Sequence, residues 1–520
     1  MFSNQKVKIF LLIFVCTFFQ ILPVIRSGLK YSYGTAFWGP NGHDAVWHLS
    51  LINNIKNPLK IALPTMSGEY LTNYHPFYDI LVKYTSSLTH IPTNYLVFQI
   101  FPLLMSFSFL YLSYLIGGPT LVCLNTFATS LGPLIGRGET AFWSMQSASN
   151  QLNPPFMLSL VFLSYLIYLI YKKKKLNFFD YFISFLLLVL LPITKAYSAP
   201  IAFFLFFVFT LKNLKNNKKP LVTLLFGFVF ATILFFVYNP KSAGIFEYQP
   251  FWFINSMFNS PDRLYFAKFA GLYGWRLFVF QIFGVFVFIF GNFAFRLFGI
   301  LKAQKEFLFL IILNTLIPLF IVQKGTAWNT IQFLYYALFL GNILLANYLT
   351  NKKYLTIFIV LISLFANSLI YKNYLGNPAP SAIPQEEISA LNFLKQLPVG
   401  NILVHPFDPY LRNRFSKTPL PLFVYETTAY VSAFAQKPVF LEDEMNLNIL
   451  NKNIKLRRQE ADSFFLQKNI YQDRGFLVNN QIDYIYLNQL FGDNLSKNSL
   501  QLGINKIFEN NDILIFKVQR

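Results

Sequence analysis

Long apolar stretches separated by short lysine-rich connectors fill the first three quarters of the chain, and shorter apolar runs spaced by charged residues fill the last quarter. Eleven of the long stretches, at about residues 8–25, 94–116, 119–135, 154–171, 178–194, 196–211, 220–238, 275–300, 306–323, 330–349 and 354–372, are read as membrane-crossing helices. Each is long enough to span roughly 30 Å of hydrocarbon, and a helix satisfies its own backbone there. Lys6 and Lys8 ahead of the first run would also suit a cleaved signal peptide, but "LPVIRSGLK" offers no small-x-small cleavage site, so this run is kept as a helix. With the N-terminus in the cytoplasm, Lys172 to Lys175, "KNLKNNKK" from Lys212, Lys302 with Lys305, and "NKK" at 351–353 all fall on the cytoplasmic side. An odd number of crossings then puts the segment after Tyr371 outside, together with long loops at about 26–93, 136–153 and 239–274.

From about Pro378 the pattern changes. "GNPAPSAIPQEE" reads as a linker, and most of the 22 acidic residues follow it. "IPQEEISALNFLKQL" predicts an amphipathic helix with proline and acids in its first turn, and "NILVHP" a short buried strand. "YVSAFAQKPVFLED" repeats that order, "QIDYIYL" predicts a strand, and "INKIFENNDILIFKV" a hairpin turning at Asn510 and Asn511. The expected fold is a polytopic α-helical membrane protein with about 11 transmembrane helices and a C-terminal exported α/β domain with a parallel or mixed sheet. The expected division is a helical domain over 1–376, carrying the first external loop at about 26–93, and a soluble domain over 377–520. No internal repeat of the kind found in inverted-repeat transporters is visible.

Composition agrees: 55% of residues are hydrophobic, only 12% are charged, and 63 Phe and 30 Tyr exceed anything usual in a soluble domain. The net charge of +21 would suit a polyanion, but the lysines sit in the connectors, where membrane topology explains them. No nucleic acid partner is expected. Cys16 and Cys123 lie inside apolar runs, so no disulfide framework or redox chemistry follows from them.

Candidate chemistry concentrates in the first loop, which holds four of the five histidines, His43, His48, His75 and His90, beside Asp44, Glu69 and Asp79. In "GHDAVWHLSL" the spacing is helical and puts Asp44 and His48 on one face, where they can act as a general base pair or hold a divalent cation. The competing reading is an Asp-His pair capping an interfacial helix. "NYHPFYDILVKY" sets His75 and Asp79 at the same spacing. The absence of an HxxxH pattern weighs against zinc, and a Mg²⁺ or Mn²⁺ site using carboxylates, with Asp44 and His48 as its ligands, fits better. Elsewhere Arg137 and Glu139 in "GRGETAFW", Lys195 in "ITKAYSAP", Arg276 and Lys324 offer charge on the external side. The 239–274 loop adds Lys241, Glu247, Asp262, Arg263 and Lys268. Each cation can bind a lipid phosphate or simply anchor at the interface. The run Glu442-Asp443-Glu444 and the pair Arg457-Arg458 read as a solvated face of the C-terminal domain.

"GHDAVWH" after the first helix, "NYHPFYDIL" before the second, and "YVSAFAQKPVFLEDE" with "RRQEADSFF" near the end give the chain a layout that resembles the GT-C superfamily of integral-membrane glycosyltransferases. The resemblance implies a polyprenyl-phosphate sugar donor, and an acidic residue of the first external loop as catalytic base or metal ligand; the matching position is Asp44. Many members carry paired acids there, whereas Asp44 stands between His43 and Ala45, which leaves His48 or Asp79 as the second group. The function this implies is sugar transfer on the external face to a glycan, lipid or protein acceptor, by a hexosyl- or pentosyltransferase that inverts the anomeric centre. Catalysis would fall to Asp44, His48 and Asp79, and substrate or phosphate binding to His43, His75, Arg137, Glu139, Lys195, Arg276 and Lys324. The expected location is a bacterial plasma membrane, in contact with its lipids. The rival readings are a transporter or flippase of lipid-linked saccharides and a non-enzymatic envelope assembly factor.

Overall fold

A computed structural model describes residues 4–135, 143–240, 245–258, 271–467 and 469–519. By internal contacts the chain divides into two compact units, neither of them continuous in sequence. One comprises Met1–Pro23, His75–Tyr78 and Phe101–Leu375; the other comprises Val24–Tyr74, Asp79–Ile100 and Gly376–Arg520. The linear division expected from composition assigns the first long loop to the helical part, whereas by contact most of that loop belongs with the C-terminal segment.

The helical unit holds helices at the positions the apolar runs predict, including Asn4–Ile21, Pro154–Tyr171, Phe178–Thr194, Ala199–Asn213, Lys219–Tyr238, Gly274–Phe293, Lys305–Phe320, Gln332–Leu349 and Lys353–Leu375. Among the described residues, seven helices are long and apolar enough to cross a membrane, which makes this an integral membrane protein. The runs at 94–116 and 119–135 are joined in Phe101–Phe127, which breaks at Gly118 (φ 68°, ψ −163°) just before Pro119. Glycine reaches that backbone angle without strain, and the proline cannot continue the preceding ladder. Asn177 and Asp180 form a reciprocal cap at the start of Phe178–Thr194, and Lys173 ion-pairs with Asp180 at 2.7 Å.

The other unit is built on two four-stranded sheets. In the first, the loop strands Lys30–Tyr31 and Gly34–Phe37 continue into Ser381–Ile383 and Leu420–Pro421. Thr35 to Phe37 pair antiparallel with Ile383 to Ser381, so loop and tail share one hydrogen-bonded sheet. The second is the mixed sheet expected for the C-terminal segment, in the order Asn401–Val404, Ile482–Asn488, Ile513–Val518, Ile504–Glu509. Its first pair is parallel, and its last two strands form the predicted hairpin. The helix Gln385–Gln396 forms where the proline and acids predict it. The strand expected after Tyr430–Ala435 is reduced to a single bridge from Val439 to Ile402.

Candidate active site

The tight turn Gly39–Gly42 brings the chain to His43, which begins the helix Asp44–Asn54. A Cβ at Gly42 would lie 3.0 Å from the Leu422 side chain and 3.1 Å from the Ser381 hydroxyl, so the turn packs tightly against the C-terminal segment. Thr428 Oγ1 donates to the Gly42 carbonyl at 2.9 Å and fixes the same point. The helix Asp44–Asn54 is then laid along Tyr430–Ala435. The hydroxyls of Ser50 and Ser432 share a hydrogen bond of 2.7 Å, Asn53 donates to the Ala433 carbonyl at 2.8 Å, and Asn54 donates to the Ser432 carbonyl at 3.1 Å. Glu442 accepts from the Val431 and Ser432 amides at 2.6 and 3.0 Å, which caps the first turn of the supporting helix.

This scaffold holds two imidazole-carboxylate groups. His43 Nδ1 lies 2.8 Å from Asp44 Oδ1, and its Nε2 lies 3.1 Å from Asp443 Oδ1. A carboxylate at each ring nitrogen favours the doubly protonated imidazolium, the one form that can donate to both. Burial works against that charge, but Asp443 first and then Asp44 outweigh it and hold His43 well above the ordinary imidazole value. The second group joins His48 Nδ1 to Asp79 Oδ1 at 2.7 Å. Tyr74 lies 3.4 Å from the same nitrogen and accepts from Trp47 Nε1 at 3.2 Å. Burial raises the Asp79 carboxyl and the His48 ring partly offsets it. Asp44 is the open member of the set, its side chain 52% exposed where those of His43 and Asp443 are 5% and 0% exposed.

The expected pairs Asp44–His48 and His75–Asp79 therefore do not form. His75 precedes the helix Phe77–Thr89, so the helical spacing assumed for His75 and Asp79 does not hold. Asp79 serves His48, and Asp44 serves His43. The acidic run expected to be solvated is not: Glu442 and Asp443 are buried, because one caps a helix and the other receives His43, while Glu444 ion-pairs with Arg458. Arg457 donates to the Ser67 and Phe440 carbonyls at 2.9 and 3.0 Å and so ties the C-terminal segment to the first loop. Asp443, Glu426 and Tyr74 are members of the cluster that spacing alone does not reveal.

Glu426 faces the same group. Burial lifts its carboxyl, the His43 charge opposes that, and Asp44 and Asp443 add to it. A cavity of about 50 Å³ lies here, lined by Glu426, Asp443, Tyr430, Tyr486 and the stacked rings of His405 and Phe491, whose centroids are 3.7 Å apart.

Of the expected substrate or phosphate ligands, His43 belongs to the unit of loop and C-terminal segment, and His75, Lys195, Arg276 and Lys324 to the helical unit. Lys195 is buried and donates to Asn153 Oδ1 at 3.3 Å. Lys324 ion-pairs with Glu247 at 3.3 Å, and Arg276 is exposed beside the Trp275 ring. Arg137 and Glu139 lie outside the described residues, as do Lys241, Asp262, Arg263 and Lys268. The same unit contains a buried cation inside an apolar run, Arg296, which donates to Asn342, Gln146 and the Ala128 carbonyl at 2.6, 2.9 and 3.0 Å.

For a divalent cation the donor set is poor. Asp44 and His48 turn polar atoms toward His43 and Asp79, and among the described residues no group of three or more His, Cys, Asp or Glu side chains is arranged to hold a metal ion.

No protein-family model and no curated protein matches this chain. Among solved structures it is similar to the oligosaccharyltransferase AglB of Archaeoglobus fulgidus in complex with an inhibitory peptide and a dolichol-phosphate, at 12% identity and a TM-score of 0.48, covering 96% of this chain and 71% of the other. It is also similar to ArnT of Cupriavidus metallidurans in the apo state, at 11% identity and a TM-score of 0.40, covering 99% and 98%.

Proposed function

We propose that this integral membrane protein is a glycosyltransferase that moves a sugar from a polyprenyl-phosphate donor to an acceptor hydroxyl, on the side of the membrane away from the cytoplasm, with Asp44 as general base. The observation that carries the reading is the half-exposed Asp44 carboxylate held at 2.8 Å by an otherwise buried His43 ring. A carboxylate anchored through one oxygen has a fixed orientation and still meets solvent, as removal of a proton from an incoming hydroxyl requires. Direct displacement assisted by a single base inverts the anomeric carbon. The departing phosphate needs positive charge, and Lys195, Arg276 and Lys324 are the described candidates among the expected ligands.

The test compares purified wild type with Asp44→Asn in detergent, using a panel of polyprenyl-phosphate sugars. Loss of about 10²- to 10⁴-fold in turnover by a folded variant is expected, and the product anomer reports the stereochemistry. Equal consumption of donor by both proteins rejects Asp44 as the base. Donor that crosses the bilayer of a proteoliposome intact, with no sugar released or transferred, favours a transporter instead.

A further inference from the structure

We infer that Asp443 is a positioning residue for the Asp44 base, acting through His43; the inference rests on the reading of Asp44 given above. An imidazole ring has two nitrogens on opposite sides, so whatever fixes one fixes the direction of the other. Asp443 lies 3.1 Å from Nε2, and that leaves Nδ1 directed at Asp44 Oδ1 at 2.8 Å. Asp443 is itself held at several points. Its Oδ1 accepts from the Asn446 amide at 3.2 Å as the cap of the helix Glu444–Ile449, and its Oδ2 accepts from the Asn446 side chain at 2.8 Å.

The backbone supports this reading. Asp443 has φ 53° and ψ 62°, a left-handed conformation that Asp adopts more readily than most residues because its side chain bonds locally, here to the Asn446 amide. The group that orients the base therefore comes from a residue 400 positions away from His43 in sequence. Asp443 does not meet the acceptor; it sets the angle at which Asp44 does.

The experiment measures kcat and KM of the full-length protein for the polyprenyl-phosphate sugar that wild type consumes, together with unfolding temperature, for Asp443→Asn, Asp443→Ala and Asp44→Asn. The Asp443→Asn change is isosteric and keeps an acceptor oxygen, but it removes the carboxylate charge that faces His43 Nε2. A fall in kcat of about 10-fold for Asp443→Asn and 10- to 100-fold for Asp443→Ala, with KM within about two-fold, is expected. Combined with Asp44→Asn, Asp443→Asn adds no further loss, because there is no base left to orient. Wild-type kcat in Asp443→Asn, beside an inactive Asp44→Asn, overturns the inference and leaves the base reading intact. A fully additive double variant also overturns it. Wild-type activity in Asp44→Asn overturns both. If Asp443→Ala does not fold, Asp443→Asn alone decides.

Discussion

Asp79 is fully buried, with one carboxylate oxygen bonded to His48 and the other, Oδ2, without a hydrogen-bond partner among the described residues. An unsatisfied buried acceptor costs about 1–3 kcal/mol, and burial accordingly raises the Asp79 carboxyl, so that a proton is held there more firmly than in the unfolded chain. Removing the charge and removing the partner should then have opposite signs. Asp79→Asn keeps an oxygen for His48 and is expected to leave stability unchanged or higher by about 1 kcal/mol, whereas Asp79→Ala strands the ring and is expected to cost about 2 kcal/mol. Denaturant unfolding of the two variants checks this, and equal losses would show that the charge itself matters to the fold. The same cluster marks what a sequence can reveal. His43, Asp44 and His48 stand out because they fall within six residues in a chain with few such groups. Asp443 does not, because an acid in a run of acids carries no sign of whether it faces water or an imidazole.

At the scale of elements, hydropathy located the helices well, because in an apolar solvent a run of this length and composition has few alternatives to a helix. Hydropathy did not indicate how closely two helices approach. A Cβ at Gly299 would lie 2.5 Å from the Leu345 amide nitrogen and 2.7 Å from the Leu344 carbonyl carbon, so the short helix Leu297–Ile300 meets Gln332–Leu349 backbone to backbone. Small residues permit such contacts where hydrocarbon supplies little hydrophobic drive for helix association. Gly299→Ala is expected to cost about 1–3 kcal/mol, since the atoms in the way are backbone and cannot rotate aside. Gly299→Leu should abolish folding. Thermal unfolding in detergent separates these outcomes, and an unaffected Gly299→Ala would mean the two helices tolerate a wider spacing. Arg296 was hidden for a related reason: an arginine within an apolar run reads as an interruption until the neutral oxygens around it, from Asn342, Gln146 and Ala128, are seen to converge.

The molecule as a whole places buried acids unevenly, and the unit made of loop and C-terminal segment carries a pH dependence that follows from them. Glu387, on the helix Gln385–Gln396, is buried against strand Ile482–Asn488, where the Tyr486 hydroxyl donates to it at 3.0 Å. Burial pushes its carboxyl up to about 7, the hydroxyls of Tyr486 and Tyr430 pull it back, and Asp512 adds to the rise. Burial likewise pushes Glu442 up to about 8, against the amides of its helix cap. A carboxyl with a raised value binds more protons folded than unfolded over the interval between the two values. Its stabilising contribution is therefore complete below the unfolded value of 4.5 and is lost as pH rises through the folded one. His43 acts in the same direction, since its raised value means the folded state also holds that proton more tightly. The unit is expected to lose stability between about pH 5 and pH 8, with Glu387 contributing a slope of at most about 1.4 kcal/mol per pH unit below pH 7. Glu387→Gln keeps a hydrogen-bond acceptor for Tyr486 and has no proton to lose, so its unfolding temperature should vary less with pH between 5 and 7 than that of wild type. Parallel curves for the two proteins would place the pH dependence elsewhere, and a steeper one would mean that the charged form of Glu387 is the one the folded chain prefers.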